Sequence, residues 1–179
     1  MTTNNKYIIV LRHGPTHPNE TINYNSFMNF ITEMIVFLNN FLLKNGLDIN
    51  KVTPKIYTSP YSRCIETSKL ITSYFEVLRN NEKIKIKTNT GIKRWDMKNE
   101  SRENSIKRAT YYGKHVFEKS NLIKKSFIHI YVSHSSIIPG FVSGLVGKKL
   151  KKVKLHTACL SILNVFNREL EVFNKSFKE

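Results

Sequence analysis

Cysteine is nearly absent from this chain of 179 residues: Cys64 and Cys159 are its only two, far apart and without CxxC spacing. That excludes a disulfide framework and a cysteine-ligated zinc site, and leaves both as small packing residues. His17, His115, His129 and His156 likewise have no partners at metal-ligand spacing and receive no role. Long apolar runs are missing as well. Nothing approaches the about 18 consecutive apolar residues of a membrane span, and the opening MTTNNKYIIV lacks the charged-then-apolar pattern of a secretory leader. The expectation is a soluble, cytoplasmic protein with no membrane partner. Internal repeats and low-complexity tails are also absent.

Acidic residues are scarce: 13 Asp and Glu stand against 29 Lys and Arg, a net charge of +16. Such an excess favours anionic partners, from a phosphorylated metabolite to a nucleic acid. Most of it is lysine spread among Asn and Ile, which compositional drift would also produce. No basic motif interleaved with aromatics and no recognition-helix signature occurs, so nucleic acid is not the expected partner. The run Lys148-Lys149-Leu150-Lys151-Lys152, with Lys154 beyond, reads as a solvated basic loop, or functionally as steering for a polyanionic substrate.

What the chain does contain is 40% hydrophobic residues, enough for one core, and a single domain over residues 1–179 is expected. YIIVL, from Tyr7, reads as a buried strand that stops at Arg12-His13-Gly14-Pro15. Apolar residues from Phe27 to Leu42 recur at a helical period, with Gly46 as a C-terminal cap. Lys55-Ile56-Tyr57 is a second short strand. It runs into Ser62, a candidate cap for a helix beginning at Arg63, where backbone N–H groups already favour an anion.

Lys83 to Thr88 alternates strictly and suits a strand at the sheet border. A polar excursion past Gly91 carries the sole tryptophan, Trp95, and leads to a modest helix from about Glu103 to Phe117. Phe127 to Val132 is another buried strand, ending at Ser133-His134-Ser135-Ser136. Ile137 to Val146 is then a helix with Pro139 near its start and Gly147 near its end. Leu160 to Phe166 and Leu170 to Phe173 read as an edge hairpin or closing strands. Strands alternating with helices argue for parallel βαβ units.

Three strand ends thus carry Arg12 with His13, Arg63, and His134, and ligands of open α/β sheets sit at such ends. Each alone has a plain reading, a surface charge or a satisfied strand-end histidine. Together they describe a phosphate pocket with a nucleophile, because arginines fork two N–H bonds onto a phosphoryl group and histidine can attack or donate.

LRHGPT at Leu11 to Thr16, SPYSRCIETS at Ser59 to Ser68, and VSHSSII at Val132 to Ile138 together resemble, in order and spacing, the signatures of the histidine phosphatase superfamily, also called phosphoglycerate-mutase-like. The resemblance covers nearly the whole chain. It implies a three-layer α/β/α sandwich with a mostly parallel central sheet, and a phosphohistidine intermediate on His13. It also implies phosphate contacts from Arg12, Arg63 and a cationic His134, joined by Thr16, Asn19 and Ser135. The implied activity is a phosphomonoester hydrolase acting on a small phosphorylated substrate or a phosphoprotein, with no metal or other cofactor. Mutase-type phosphoryl transfer and a catalytically weakened phosphate-binding module are the alternatives. The short chain favours the phosphatase.

Two positions depart from the family pattern. Ser135 stands where many members have glycine, and Arg94 stands where many supply a proton-donating glutamate. Asp96 and Glu100 in the same excursion are the candidates to supply that acid from a shifted position, Asp96 ahead of Glu100. The alternative for each is a solvated carboxylate or a partner for a nearby cation.

Overall fold

The computed structural model describes residues 4–16, 24–150, 154–156 and 158–177. Six strands form one sheet in the order β3-β2-β4-β1-β5-β6. β1 (Lys6–Arg12) pairs parallel with β4 (Phe127–Ser133), β4 with β2 (Lys55–Thr58), and β2 with β3 (Ile86–Thr88). β5 (Leu160–Asn164) runs antiparallel to β1 and β6 (Glu169–Lys175) antiparallel to β5, which closes the far edge as a hairpin.

The alternation of side chains across β1 builds two cores. Tyr7, Ile9 and Leu11 face one side, packed with Phe27, Ile31, Ile35 and Leu38 of α1 (Tyr24–Lys44) and Ile71 and Phe75 of α2 (Ser62–Leu78). Ile8 and Val10 face the other, against Ala109 and Val116 of α3 (Arg102–Asn121) and Phe141, Val142 and Leu145 of α4 (Ile138–Val146). Burying each such side chain removes it from water at a gain of about 1.5–3 kcal/mol, so the two strands at the centre of the sheet, β1 and β4, are anchored from both faces. Helices on both faces make the expected three-layer α/β/α sandwich.

α3 and α4 meet closely because glycines line their contact. A Cβ on Gly144 would lie 2.0 Å from the Thr110 carbonyl oxygen, and one on Gly113 2.1 Å from that of Phe141. α4 ends where Gly147 turns left-handed at φ 75°, a conformation glycine adopts freely.

Several elements differ from the sequence expectation in extent. The alternating Lys83–Thr88 segment contributes only Ile86–Thr88 to the sheet, paired with Ile56 to Thr58 of β2. α3 is longer than expected, running to Asn121, because its outer residues are polar and leave only a thin inward stripe to read. Ser62 is the first residue of α2 rather than its cap; Tyr61 stands in the capping position without a side-chain bond. Among the described residues no helix is long and apolar enough to cross a membrane.

Candidate active site

The carboxyl ends of β1, β2 and β4 lie side by side, and their backbones are laced together beyond the last ladder bonds. The His13 amide donates to the Ser133 carbonyl at 3.0 Å and the Ser59 amide to the Val132 carbonyl at 2.9 Å. The three signatures therefore converge on one sheet edge. His13 and His134 face each other with ring centroids 5.3 Å apart, tilted by 60°.

His13 is fixed as one tautomer. Its Nδ1 lies 2.8 Å from the Gly14 carbonyl oxygen, which can only accept, so Nδ1 carries the proton and Nε2 keeps its lone pair. Gly14 is itself held by its amide, which donates to Thr67 Oγ1 at 3.1 Å, while that hydroxyl donates to the Arg63 carbonyl at 2.7 Å. A side chain at position 14 would drive a Cβ to 2.4 Å from the Phe27 ring. Burial pushes the His13 pKa down to about 4, opposed by the Gly14 bond and reinforced by Arg63, Arg12 and Arg94.

His134 is more deeply buried than His13. Arg63 Nε donates to its Nδ1 at 3.4 Å, so Nε2 bears the proton and donates to Ser59 Oγ at 2.8 Å. Burial pushes its pKa down to about 2, helped by His13, Arg63, Arg94 and Arg12. In the free site this desolvated imidazole among arginines is therefore neutral. Cys64, expected only to pack, touches this ring, with Sγ 3.4 Å from Nε2. Burial raises its thiol to about 12, so it stays protonated.

The arginines differ in their anchoring. Arg12 is tethered by Nη1 to the Leu155 carbonyl at 2.7 Å, and its Nε is a buried donor with no partner among the described residues. Arg63 at the start of α2 is buried, and its guanidinium carbon stands 5.9 Å from the centroid of the Tyr61 ring. Arg94, which stands where the resemblance would put an acid, is a cation that helps to lower the pKa of both histidines. What brings it there is long-range. Ser133 Oγ donates to the Ile92 carbonyl at 2.8 Å, tying the segment to the end of β4, and Arg108 of α3 donates to the Gly91 carbonyl at 2.9 Å and the Lys93 carbonyl at 3.4 Å.

The two carboxylates expected to supply an acid are engaged otherwise. Asp96 caps a turn, accepting from Asn99 Nδ2 at 2.8 Å and the Lys98 amide at 3.1 Å, bonds that lower its pKa. Glu100 takes both forks of Arg108 at 2.9 Å, which also lowers its pKa. A general acid needs its proton held more tightly, not less, so the geometry gives both carboxylates structural work. Thr16 and Ser135 are exposed, Ser135 at the mouth of a groove between α3 and α4; Asn19 lies outside the described residues.

No family model matches the chain, and no curated protein matches it. Solved structures do. A mycobacterial glucosyl-3-phosphoglycerate phosphatase superposes with a TM-score of 0.63 over 96% of this chain and 100% of its own, at 13% identity. A phosphoserine phosphatase from Entamoeba histolytica, in complex with 3-phosphoglyceric acid, gives 0.63 over 96% and 98% at 15% identity. YhfR of Bacillus stearothermophilus gives 0.62 over 97% and 98% at 12% identity. The chain has the histidine phosphatase fold.

At such identities the likeness is one of fold, and within the histidine phosphatase fold this chain's site rests on its own residues. Besides Arg12, His13, Arg63 and His134, the signatures contribute Ser59, Cys64, Thr67 and Ser133, which touch the two histidines or tie down their loops. Only the fold reveals what each of these four bonds to.

Proposed function

We propose that the chain is a phosphomonoester hydrolase that works through a phosphohistidine on His13. The observation that carries this reading is the Nδ1 bond from His13 to the Gly14 carbonyl, which leaves the Nε2 lone pair available beside Arg12, Arg63 and His134. In the reaction, Nε2 attacks phosphorus in line as the bond to the ester oxygen breaks, and that oxygen leaves with the electron pair. Arg12, through its unpartnered Nε, and Arg63 balance charge on the equatorial oxygens; such preorganised donors do most of the work in phosphoryl transfer. The bound phosphoryl group also supplies the negative charge that draws a proton onto His134. Water then attacks phosphorus, breaking the N–P bond and releasing phosphate. The residues named do this with charges and dipoles of their own.

Phosphatase is preferred to mutase because this chain spans solved structures named as phosphatases over essentially their full length. A phosphate-binding module with weak turnover is the second reading, favoured by the engagement of Asp96 and Glu100 elsewhere. The test uses p-nitrophenyl phosphate with wild type and His13→Ala. Wild type quenched during turnover should carry an acid-labile, base-stable phosphate on His13, and the variant should carry none and turn over nothing. Full activity in His13→Ala removes the covalent mechanism; tight vanadate binding without turnover in wild type selects the binding module.

A further inference from the structure

A groove of about 1090 Å³ runs along the contact of α3 and α4, from Ser135 and Arg102 at the heads of the two helices to Lys114 and Lys149 farther down. Ser135 is the residue after His134, whose ring stands 5.3 Å from that of His13, so the groove begins beside the two histidines. From Arg102 to Lys114, α3 rises by about 18 Å at 1.5 Å per residue. An extended chain advances about 3.3 Å per residue, so roughly five residues fit this length. Sites for small ligands span about 300–1,000 Å³ and enclose most of the ligand. A long groove of this size suits a chain better.

Its floor is apolar and its walls are basic. Gly140 and Gly144 present no side chain there, and the hydroxyls of Thr110 and Ser143 are spent on the Ile106 and Pro139 carbonyls of their own helices, at 2.9 Å and 2.7 Å. Ile106 and Tyr111 remain 38% and 77% exposed along it, apolar surface with nothing packed over it. Among the cations on its walls, Lys114 is paired loosely with Glu118 at 3.9 Å, whereas Arg102, Lys148 and Lys149 have no carboxylate partner among the described residues. Glu103, the acidic residue in the lining, is neutralised by Lys107 at 2.8 Å. The ligand that complements this surface carries negative charge at its sides and apolar groups beneath.

We infer that the groove docks an extended, acidic segment of a phosphoprotein and presents its phosphorylated residue to His13. This rests on the phosphatase reading and names its substrate class. A single-stranded nucleic acid fits less well, since it binds on successive aromatic platforms and Tyr111 is the one aromatic residue in the lining. In the transfer, His13 Nε2 bonds to phosphorus as the P–O bond to the side chain breaks, and the electron pair goes to the side-chain oxygen, which takes a proton from water. A second water cleaves the N–P bond and releases phosphate.

The probe is a peptide with phosphotyrosine flanked on each side by Glu-Leu-Glu-Glu, an aryl ester whose leaving group demands little protonation. Its counterpart carries lysine in place of every glutamate, and p-nitrophenyl phosphate and tripolyphosphate complete the set. Wild type should favour the glutamate peptide in kcat/KM by about tenfold or more over the lysine peptide, and rising salt should erode that preference. Lys148→Glu/Lys149→Glu turns two exposed attractions into repulsions and should raise KM for the glutamate peptide by roughly tenfold. Tyr111→Ala should raise it too, and both variants should leave p-nitrophenyl phosphate unchanged. Equal rates on the two peptides, a glutamate preference that survives in the double lysine variant, or faster hydrolysis of tripolyphosphate than of the glutamate peptide overturns the proposal. Turnover of p-nitrophenyl phosphate with none of the peptides removes the phosphoprotein and leaves the phosphatase. If nothing turns over, the phosphatase reading falls, and fluorescence anisotropy of the labelled, unphosphorylated glutamate peptide decides the docking surface: binding that the double lysine variant loses sustains it, and no binding ends it.

Discussion

His13 and His134 stand ring to ring at the sheet edge, 5.3 Å apart, with opposite hydrogen-bond polarity: Nδ1 of the first donates to Gly14, and Nδ1 of the second accepts from Arg63. Both are neutral, yet only one presents a bare nitrogen. On the proposed mechanism the same chemistry at two strand ends is thus divided into an attacking group and a group that becomes a donor once negative charge arrives.

That division sets the pH profile. With the His13 pKa at about 4, the free protein keeps its nucleophile unprotonated well below neutrality. The acid limb of kcat/KM, which reports groups of the free enzyme, should therefore fall near pH 4 to 5 instead of at the ordinary histidine value of about 6.5. Initial rates with p-nitrophenyl phosphate, taken below the melting temperature at each pH, measure it. A limb centred at 6.5 would mean that water reaches His13 freely.

Arg63 meets the His134 ring and, on the proposed mechanism, the phosphoryl group, and its removal should be felt through both. Arg63→Ala is expected to lower kcat by on the order of a hundredfold or more and to weaken vanadate inhibition in parallel. Arg63→Lys, which keeps the charge but not the Nε–H that meets His134, should recover binding more than rate. An Arg63→Ala protein with unchanged vanadate affinity places this side chain outside the pocket.

Asp96 and Glu100 are separable by their substrate dependence. Asp96→Asn preserves a side-chain oxygen for the turn and should change neither aryl nor alkyl phosphate hydrolysis. Glu100→Gln weakens the fork on Arg108 and so loosens the segment that Arg108 holds; both substrate types should slow by the same factor. Selective slowing of alkyl esters in either variant would restore a proton-donating role to that carboxylate.

Stability should fall with acid, and His129 is a specific cause. Buried in β4 beside the Phe127 ring at 4.2 Å and the Tyr57 ring at 5.7 Å, it has neither ring nitrogen hydrogen-bonded, and burial lowers its pKa to about 4, aided by Lys55. Between pH 6.5 and about 4 the unfolded chain binds a proton at this histidine that the folded chain refuses, so stability is complete above about 6.5 and lost as pH drops through that window. His13 and His134 are depressed in the same sense and add to the slope. His129→Leu should flatten the dependence by about one proton, read as the slope of unfolding free energy against pH in urea melts. An unaltered slope would mean that His129 is charged or solvated in the native state.

The sequence by itself determined the strands that end at Arg12, Tyr57 and Val132, and the helices after them, because buried strands and amphipathic helices write period-2 and period-3.6 patterns into local apolar order. It also determined which residue types lie at those ends, and hence the phosphate chemistry proposed for Arg12, His13, Arg63 and His134. Its weaker readings were those whose outcome depends on distant partners. β3 joins the sheet only where it pairs with Ile56 to Thr58 of β2, and α3 runs on to Asn121 with only a thin inward stripe to mark it. Only the tertiary structure decided that His134 is neutral, since desolvation and the arrival of arginines from three other segments are properties of space and not of neighbours in the chain. Only it decided that Asp96 holds a turn, that Glu100 grips Arg108, and that Arg94 acts on the two histidines. A hydrogen bond from Ser133 to Ile92 spans 41 positions of the sequence, and no local pattern encodes a bond of that reach.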